Sequence, residues 1–273
     1  MQRLLFAILV TLSIALGSFG FAHAQSELDE RNTEVVQSVY LRTLSVGPTG
    51  KLVTDAQTAF DLAMRSYGAT NGRTADMAVN LGRALNRTSQ HQAAIPLIES
   101  ALSIYDDIGD PAQLRKAVAE YELGLAHLAA DNTAAAVDAL TKAFIGLEPN
   151  FKRLSADTNF IRTTLQTAGG DAVVEAAQTA AANVGASTTQ QPKPTLQIPP
   201  IYPPDESLNG VSGWVLLDYR LWPDGRVQDV FILAAEPANV FDISAVMALQ
   251  QWQFEPPVRQ GEHYQLSVAF NAN

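Results

Sequence analysis

Residues 213–234 have the sequence GWVLLDYRLWPDGRVQDVFILA, in which two apolar stretches flank the tripeptide Pro223-Asp-Gly225. Asp-Gly between two such stretches is a strong signal for a β-hairpin, because glycine readily adopts the positive φ that a tight turn requires. Alternate residues of the two predicted strands share one apolar face, and these are Val215, Leu217, Tyr219, Leu221, Val230 and Ile232. The stretch therefore predicts two antiparallel strands with one face turned towards a core.

The residues after the hairpin predict one helix and one more strand. From about 241 to 251 the apolar residues lie on one helical stripe, and from 264 to 270 they alternate with polar or small residues. The stripe comprises Phe241, Ala245, Ala248, Leu249 and Trp252. We therefore expect a small α+β domain over residues 199–273, in the order β-β-α-β, with the helix covering one apolar face of the sheet.

Several motifs of this domain resemble the TonB C-terminal domain family. They are Pro-x-Tyr-Pro at 200–203, Asp-Gly-Arg-Val at 224–227 and Trp-x-Phe-x-Pro at 252–256, and they occur in this order. The resemblance implies that the domain binds an extended segment of an outer-membrane transporter. The segment would add as a strand to a sheet edge, where N–H and C=O groups are unpaired. The predicted partner-binding residues are Tyr202 and, in the last strand, Tyr264, Leu266 and Val268.

Trp214 and Trp222 are two further candidate partner-binding residues. Both lie on the strand face opposite Val215 and Leu217. Two alternatives are open for them. Either at least one is exposed and anchors a partner, or both pack beneath the Pro-Tyr-Pro segment.

Residues 26–184 are rich in alanine and leucine, and apolar residues recur at the helical spacing of three and four. The motif LGxA at 81–84 recurs 42 residues later at 123–126. This pattern resembles the tetratricopeptide repeat (TPR), in which paired helices approach closely where small residues face each other. We expect an all-α, TPR-like array of three to four helical hairpins, with Pro149 ending one helix near Leu147. The alternative is an ordinary helical bundle in which the alanines align by accident.

The segments on either side of the predicted repeats indicate a signal and a linker. Residues 1–24 combine Arg3, an apolar run and a terminal Ala-His-Ala, which indicates a signal peptide cleaved before Gln25 and a location in the periplasm. The alternative is an uncleaved helix that anchors the chain in the inner membrane, facing the periplasm, since the run reaches the minimum length for spanning a bilayer. Residues 185–204 contain six prolines and predict a semi-extended linker.

Composition disfavours several classes of function. A formal net charge of −10 repels the phosphates of nucleic acids, and the absence of cysteine means that the domains are held by apolar burial alone. The four histidines are isolated and show no metal-ligand spacing. No phosphate-binding glycine loop or catalytic constellation is present. The sequence therefore predicts no metal, no cofactor, no small-molecule substrate and no enzymatic activity.

Two hypotheses for the function follow. The first is a periplasmic adaptor whose TPR-like repeats present a groove to one envelope protein while the C-terminal domain captures an extended peptide of another. The second is a TonB-like energy transducer for transport across the outer membrane, which requires the N-terminal helix to be retained. The sequence specifies neither the partners nor an oligomeric state.

Overall fold

A computed structural model of the chain describes residues 28–45, 47–154, 157–186, 190–203, 210–257, 259 and 261–271. The predicted signal peptide, residues 1–24, lies outside these ranges. Within them, no helix is both long enough and apolar enough to cross a membrane.

The N-terminal segment is an array of paired antiparallel helices. Its described helices are α1 (residues 28–44), α2 (Gly50–Tyr67), α3 (Gly72–Arg87), α4 (His91–Ile108), α5 (Gln113–Ala129), α6 (Thr133–Arg153), α7 (Asn159–Gly169) and α8 (Asp171–Ala181). Successive pairs form four hairpins, at the upper end of the predicted range. The hairpins share one apolar core that runs from Val36 in α1 to Ala181 in α8.

The helices of the two central hairpins approach too closely for a side chain at the motif glycines. A Cβ at Gly82 of α3 would lie 2.5 Å from Cγ1 of Ile98 in α4, and one at Gly124 of α5 would lie 2.6 Å from Cγ of Leu140 in α6. The motif therefore marks the close contact of each hairpin, as expected. The expectation that small residues face small ones is wrong at both glycines, because each makes room for a branched side chain on the other helix.

Helix α6 continues through Pro149 to Arg153, so the prediction that Pro149 ends the helix is wrong. Proline inside a helix costs about 3 kcal/mol through a lost hydrogen bond and a steric clash. Phe151, beyond the proline, is completely buried, and burial of such a side chain contributes about 1.5–3 kcal/mol. An ion pair of 2.8 Å between Glu148 and Lys152 also spans this turn. Packing of the last turn therefore offsets much of the cost of the proline, and the helix continues.

The C-terminal segment forms a small α+β domain, as predicted. Its elements are β1 (Pro194–Leu196), β2 (Gly213–Leu221), β3 (Val227–Glu236), α9 (Asp242–Leu249), β4 (Gln253–Phe254) and β5 (Tyr264–Phe270). The main sheet has the order β3-β2-β5 with antiparallel pairing throughout. The predicted order β-β-α-β corresponds to β2, β3, α9 and β5.

Both faces of the main sheet are covered. The six residues predicted to share an apolar face, Val215, Leu217, Tyr219, Leu221, Val230 and Ile232, form one core with α9. The opposite face carries Leu216, Phe231 and Leu233, which belong to the core of the helical array. The sheet is thus held between α9 and the repeats, whereas the sequence predicted only the α9 side.

The segment predicted to be a linker is extended, but part of it belongs to the C-terminal domain. Strand β1 pairs with β4, the backbone N–H of Glu255 donates to Lys193 O at 2.9 Å, and Trp252 Nε1 donates to Ile198 O at 2.7 Å. Proline is compatible with this role on an edge strand, where a missing N–H breaks no ladder. The domain therefore starts before residue 199, and the described residues 190–203 lie along it.

Candidate protein-binding site

The two outer strands of the main sheet differ in what covers their edges. At β3, the hydroxyl of Tyr40 in α1 accepts a hydrogen bond of 3.1 Å from the backbone N–H of Ile232. Arg83 Nη1 in α3 donates to the carbonyl of the same residue at 3.3 Å. Both backbone groups that Ile232 presents at the edge are therefore satisfied by the helical array, and this part of β3 is closed to strand addition.

Ion pairs also hold the β3 edge against the repeats. Arg73 Nε of α3 lies 2.7 Å from Asp229 Oδ2, and Arg220 of β2 pairs with the same carboxylate. Arg83 Nε lies 2.6 Å from Glu122 Oε1 of α5, which fixes the guanidinium that contacts Ile232. The repeats thus hold β3 through two arginines with carboxylate partners.

Strand β5 forms the other edge, and among the described residues no strand pairs with its outer side. Ile232 directs its N–H away from β2, so its pairing partner Leu217 directs its own backbone groups towards β5. Leu217 pairs with Leu266, and Ser267 and Ala269 then direct their N–H and C=O groups outward. Ala269 is exposed. Among the described residues, the outward backbone groups of β5 therefore have no strand partner.

The three candidate residues of β5 face the α9 core. Tyr264 is buried, with its ring centroid 5.8 Å from that of Tyr219, and burial raises its pKa to about 12. Val268 is buried in the same core and Leu266 packs against it while half-buried. These side chains anchor the strand in the α9 core. A peptide at this edge would therefore meet mainly the backbone of β5 and the side chains that alternate with Tyr264, Leu266 and Val268.

The other three candidates lie in different places. Tyr202 packs on the α9 core with its ring centroid 5.4 Å from that of Phe241. Trp214 contacts the repeats, with ring centroids 5.9 Å from Phe151 and 6.5 Å from Phe160. Neither of the two alternatives for Trp214, an exposed anchor or a residue beneath the Pro-Tyr-Pro segment, describes this position. Trp222 is half-buried and lines a cleft beside α1. The structure does not bring these three residues together.

A buried carboxylate links β2 to β5. Asp218 Oδ1 lies 2.6 Å from His263 Nδ1, and Gln265 Nε2 donates to Asp218 Oδ2 at 2.8 Å. Burial by itself raises the pKa of Asp218, but the charge and hydrogen bond of His263, the charge of Arg115 and the hydrogen bond of Gln265 outweigh burial, and the pKa lies below its usual value. Asp218 is therefore stabilised as a carboxylate beneath the β5 strand.

A second buried cluster lies on the repeat side of the interface. Arg115 Nη1 of α5 lies 3.0 Å from both carboxylate oxygens of Asp76 in α3, and Tyr105 Oη of α4 donates to the same carboxylate at 2.6 Å. Buried networks of this kind help to fix the relative position of the elements that carry them. The cluster holds α3, α4 and α5 in the arrangement that supports the sheet.

The sequence analysis did not identify Tyr40, Arg73 and Arg83 as residues that hold β3. One signal for a second covered face was present. Residues 230–233 and 214–217 are continuous apolar runs, which are typical of strands buried on both faces. That signal predicts a covered face but does not specify which helices cover it.

Among the described residues, no group of three or more His, Asp or Glu side chains has the geometry of a metal site. The buried charged residues Asp76, Arg115, Glu122 and Asp218 take part in the ion pairs and hydrogen bonds described above.

Comparison with known proteins identifies both parts of the chain. Residues 198–273 match the family described as Gram-negative bacterial TonB protein C-terminal, and residues 73–144 match the tetratricopeptide repeat family. Both resemblances found in the sequence are confirmed. The matched repeat region runs from α3 into α6, and the matched C-terminal region contains the main sheet, including β5. We refer to the latter as the TonB-like domain.

Relatives named Protein TonB match over part of their length. The protein of Pseudomonas aeruginosa is 34% identical over 70 residues, which are 26% of this chain and 20% of the relative. The protein of Escherichia coli K12 is 31% identical over 87 residues, 32% of this chain and 36% of the relative. The solution NMR structure of the Pseudomonas aeruginosa TonB CTD is 28% identical, and the alignment covers 33% of this chain and 94% of that one with a TM-score of 0.25. The chain thus spans between a fifth and a little more than a third of the length of these relatives.

Proposed function

We propose that this chain is a cell-envelope protein that captures an extended peptide of another protein on the outer edge of β5. The observation that carries the proposal is the asymmetry of the sheet, in which Tyr40 and Arg83 close β3 while the outer side of β5 has no strand partner in the described part of the chain. An open strand edge offers main-chain hydrogen bonds to a peptide of suitable sequence. Binding rather than catalysis is the proposed activity.

The repeats have a different role in this proposal from the one in the adaptor hypothesis. Side chains of α1, α3 and α7 contact the chain's own sheet through Tyr40, Arg83 and Phe160. A second protein cannot occupy the same surface while the sheet is docked there. We therefore infer that the repeats primarily position the TonB-like domain and restrict capture to one edge.

The location and partner class in this proposal follow from the TonB relatives. A TonB-like domain supports a place in the cell envelope, facing the periplasm, and a partner such as a segment of an outer-membrane transporter. Cleavage before Gln25 would release the chain into the periplasm.

Crosslinking in whole cells tests the capture. A photoreactive residue at exposed Ala269 should crosslink to a protein partner, and the crosslinked peptide should come from an extended segment. Proline at Ser267 or Ala269 should weaken capture, because proline removes the outward N–H donor. Ala269→Ser, which keeps the N–H, serves as the matched control. Unchanged capture by a folded proline variant would contradict strand addition at β5.

The second candidate function is an energy transducer for transport across the outer membrane, anchored by an uncleaved N-terminal helix. The relatives named Protein TonB favour this candidate. Mass spectrometry of the chain recovered from cells distinguishes the two. A chain that starts at Gln25 excludes the anchored transducer, and a chain that retains residues 1–24 in the membrane fraction supports it.

A further inference from the structure

A cleft of about 490 Å³ lies between helix α1 of the repeats and the TonB-like domain. One wall is the side of α1 that carries Thr33, Gln37 and Leu41. The other wall comes from the hairpin of β2 and β3 and from residues 250–253, which follow α9. Sites for small molecules commonly have this volume and lie where two domains meet. Within the described part of the chain no residue of β5 lines this cleft, so it is separate from the proposed peptide edge.

Most polar side chains of the lining are uncharged, and they comprise five glutamine amides and two hydroxyls of α1. Amides and hydroxyls both donate and accept hydrogen bonds. Gln251 Nε2 donates to Met247 O at 2.8 Å and Gln253 Nε2 donates to Asp224 O at 2.6 Å, so each amide is oriented with its Oε1 left as an acceptor. Gln250 is exposed at the cleft. The lining therefore presents neutral donors and acceptors together.

Two of the three charged groups in the described lining already have partners of opposite charge. Arg226 Nη1 lies 2.8 Å from Glu30 Oε1, and its Nε lies 2.7 Å from Asp224 Oδ2. The carboxylate of Asp229 pairs with the two arginines described above. Glu34 is the third group, and its exposed carboxylate accepts hydrogen bonds from hydroxyls as readily as from cations. A neutral ligand therefore binds here without disturbing an ion pair.

The indole of Trp222 adds an aromatic surface to this polar lining. Trp222 follows β2 directly, and its backbone N–H donates to Arg226 O at 2.8 Å, which holds it at the hairpin turn. The side chain is half-buried, and unlike Trp214 and Trp252 it contacts no other aromatic ring among the described residues. A sugar ring has matching chemistry, because its C–H groups form an apolar face and its hydroxyls lie around the rim.

We propose that this cleft binds a short neutral oligosaccharide. One sugar ring lies against the indole of Trp222, and its hydroxyls bond the amides of Gln250, Gln251 and Gln253. The site does not depend on peptide capture at β5. A bound sugar contacts both α1 and the TonB-like domain, and it stabilises their docking in proportion to its occupancy.

NMR titration of the full-length chain tests the proposal. The chain has three tryptophans, so the indole N–H signals report on three known positions. The probes are cellotriose and N,N′,N″-triacetylchitotriose, which share a linear neutral backbone and differ in their acetamido groups. At least one of them should shift the Trp222 indole signal to saturation while the Trp214 signal stays in place. No saturable shift with either probe, or an equal shift of Trp214, would overturn the proposal.

Variants locate the binding, followed through backbone amide signals. Trp222→Ala should weaken the sugar about tenfold, and Trp222→Phe, which keeps a ring, should restore part of the affinity. Because Trp222→Ala could disturb the hairpin turn, Gln250→Ala provides an independent test at an exposed position and should weaken binding about threefold. Gln178→Ala, an exposed glutamine on α8, is the matched control and should leave binding unchanged. Full affinity in both Trp222→Ala and Gln250→Ala would place the sugar elsewhere and overturn the proposal.

Discussion

The hydroxyl of Tyr40 in the first repeat helix accepts the edge N–H of Ile232 in β3, 192 positions later in the chain, at 3.1 Å. Tyr40 is completely buried and its ring stacks on Phe231 with a centroid distance of 5.8 Å. One side chain therefore satisfies a strand edge and packs against the sheet face beside it. This contact makes the repeats part of the environment of the TonB-like domain rather than a separate module.

Tyr40→Phe should destabilise the protein by about 1–3 kcal/mol, because it leaves the buried N–H of Ile232 without an acceptor while it keeps the aromatic packing. Urea unfolding measures the loss of stability. Hydrogen exchange at the Ile232 amide measures the cause, and its protection should fall selectively. Tyr67→Phe is the control, since the Tyr67 hydroxyl donates to Thr33 within the repeats at 3.1 Å and not to β3 in the described part of the chain. Equal exchange of Ile232 in both variants would show that Tyr40 does not close the edge.

Alanine at Gly82 or Gly124 should destabilise the repeats by about 1–3 kcal/mol, as expected for overpacking. The added Cβ would lie within 2.6 Å of Ile98 or Leu140, which is too close for the side chains to accept without moving. Thermal unfolding of the full chain measures the effect. Gly50→Ala is a matched control, because no atom lies within 4 Å of its added Cβ, and it should not reduce stability. A similar loss in all three variants would mean that helix spacing is not the reason for the glycines.

The elements whose apolar residues follow a local spacing pattern were predictable from the sequence. Strands β2, β3 and β5 and helix α9 follow from apolar residues at strand or helix spacing, and the Asp224-Gly225 turn predicts the hairpin of β2 and β3. The hairpins of the repeats followed from the recurring motif at 81–84 and 123–126. Pro149 shows where such rules fail. Helix α6 continues through it, and the burial of Phe151, which the local sequence pattern does not indicate, helps to keep the helix intact.

The docking of the sheet on the repeats could not be predicted in the same way. It depends on pairs such as Tyr40 with Ile232 and Trp214 with Phe151, which are distant in sequence and carry no fixed spacing. Strand β1 also depends on a partner that is distant in sequence, because the proline-rich segment forms a strand only where it pairs with β4. For the candidate site, sequence alone identified the edge strand β5 but not the closure of β3.

Phe231→Ala should undock the TonB-like domain without unfolding it. Phe231 is 3% exposed and faces the repeats. The guanidinium carbon of Arg83 lies over its ring, 5.8 Å from the ring centroid. Replacing a buried phenylalanine by alanine costs about 3–5 kcal/mol of stability, and here the loss weakens the interface between the repeats and the sheet. Small-angle X-ray scattering should show a larger radius of gyration, and sedimentation should show self-association through the exposed β3 edge. Phe254→Ala, on the α9 side of the sheet, is the comparison and should unfold the domain itself. An unchanged radius of gyration for Phe231→Ala would argue against this interface.

Asp218 should make the stability of the protein depend on pH in the acid range. Its folded-state pKa is depressed, because the charges and hydrogen bonds around it outweigh burial. The stability that Asp218 contributes is therefore complete above the unfolded carboxyl pKa of about 3.9, and it is lost as the pH falls from there through the lower folded pKa. Below about pH 4 the wild type should lose stability more steeply than Asp218→Asn, which cannot titrate at this position. Urea unfolding between neutral pH and acid measures the two slopes, and the exposed Asp138→Asn should follow the wild type. Parallel slopes for Asp218→Asn and the wild type would mean that the carboxylate beneath β5 is not what stabilises the sheet above pH 4.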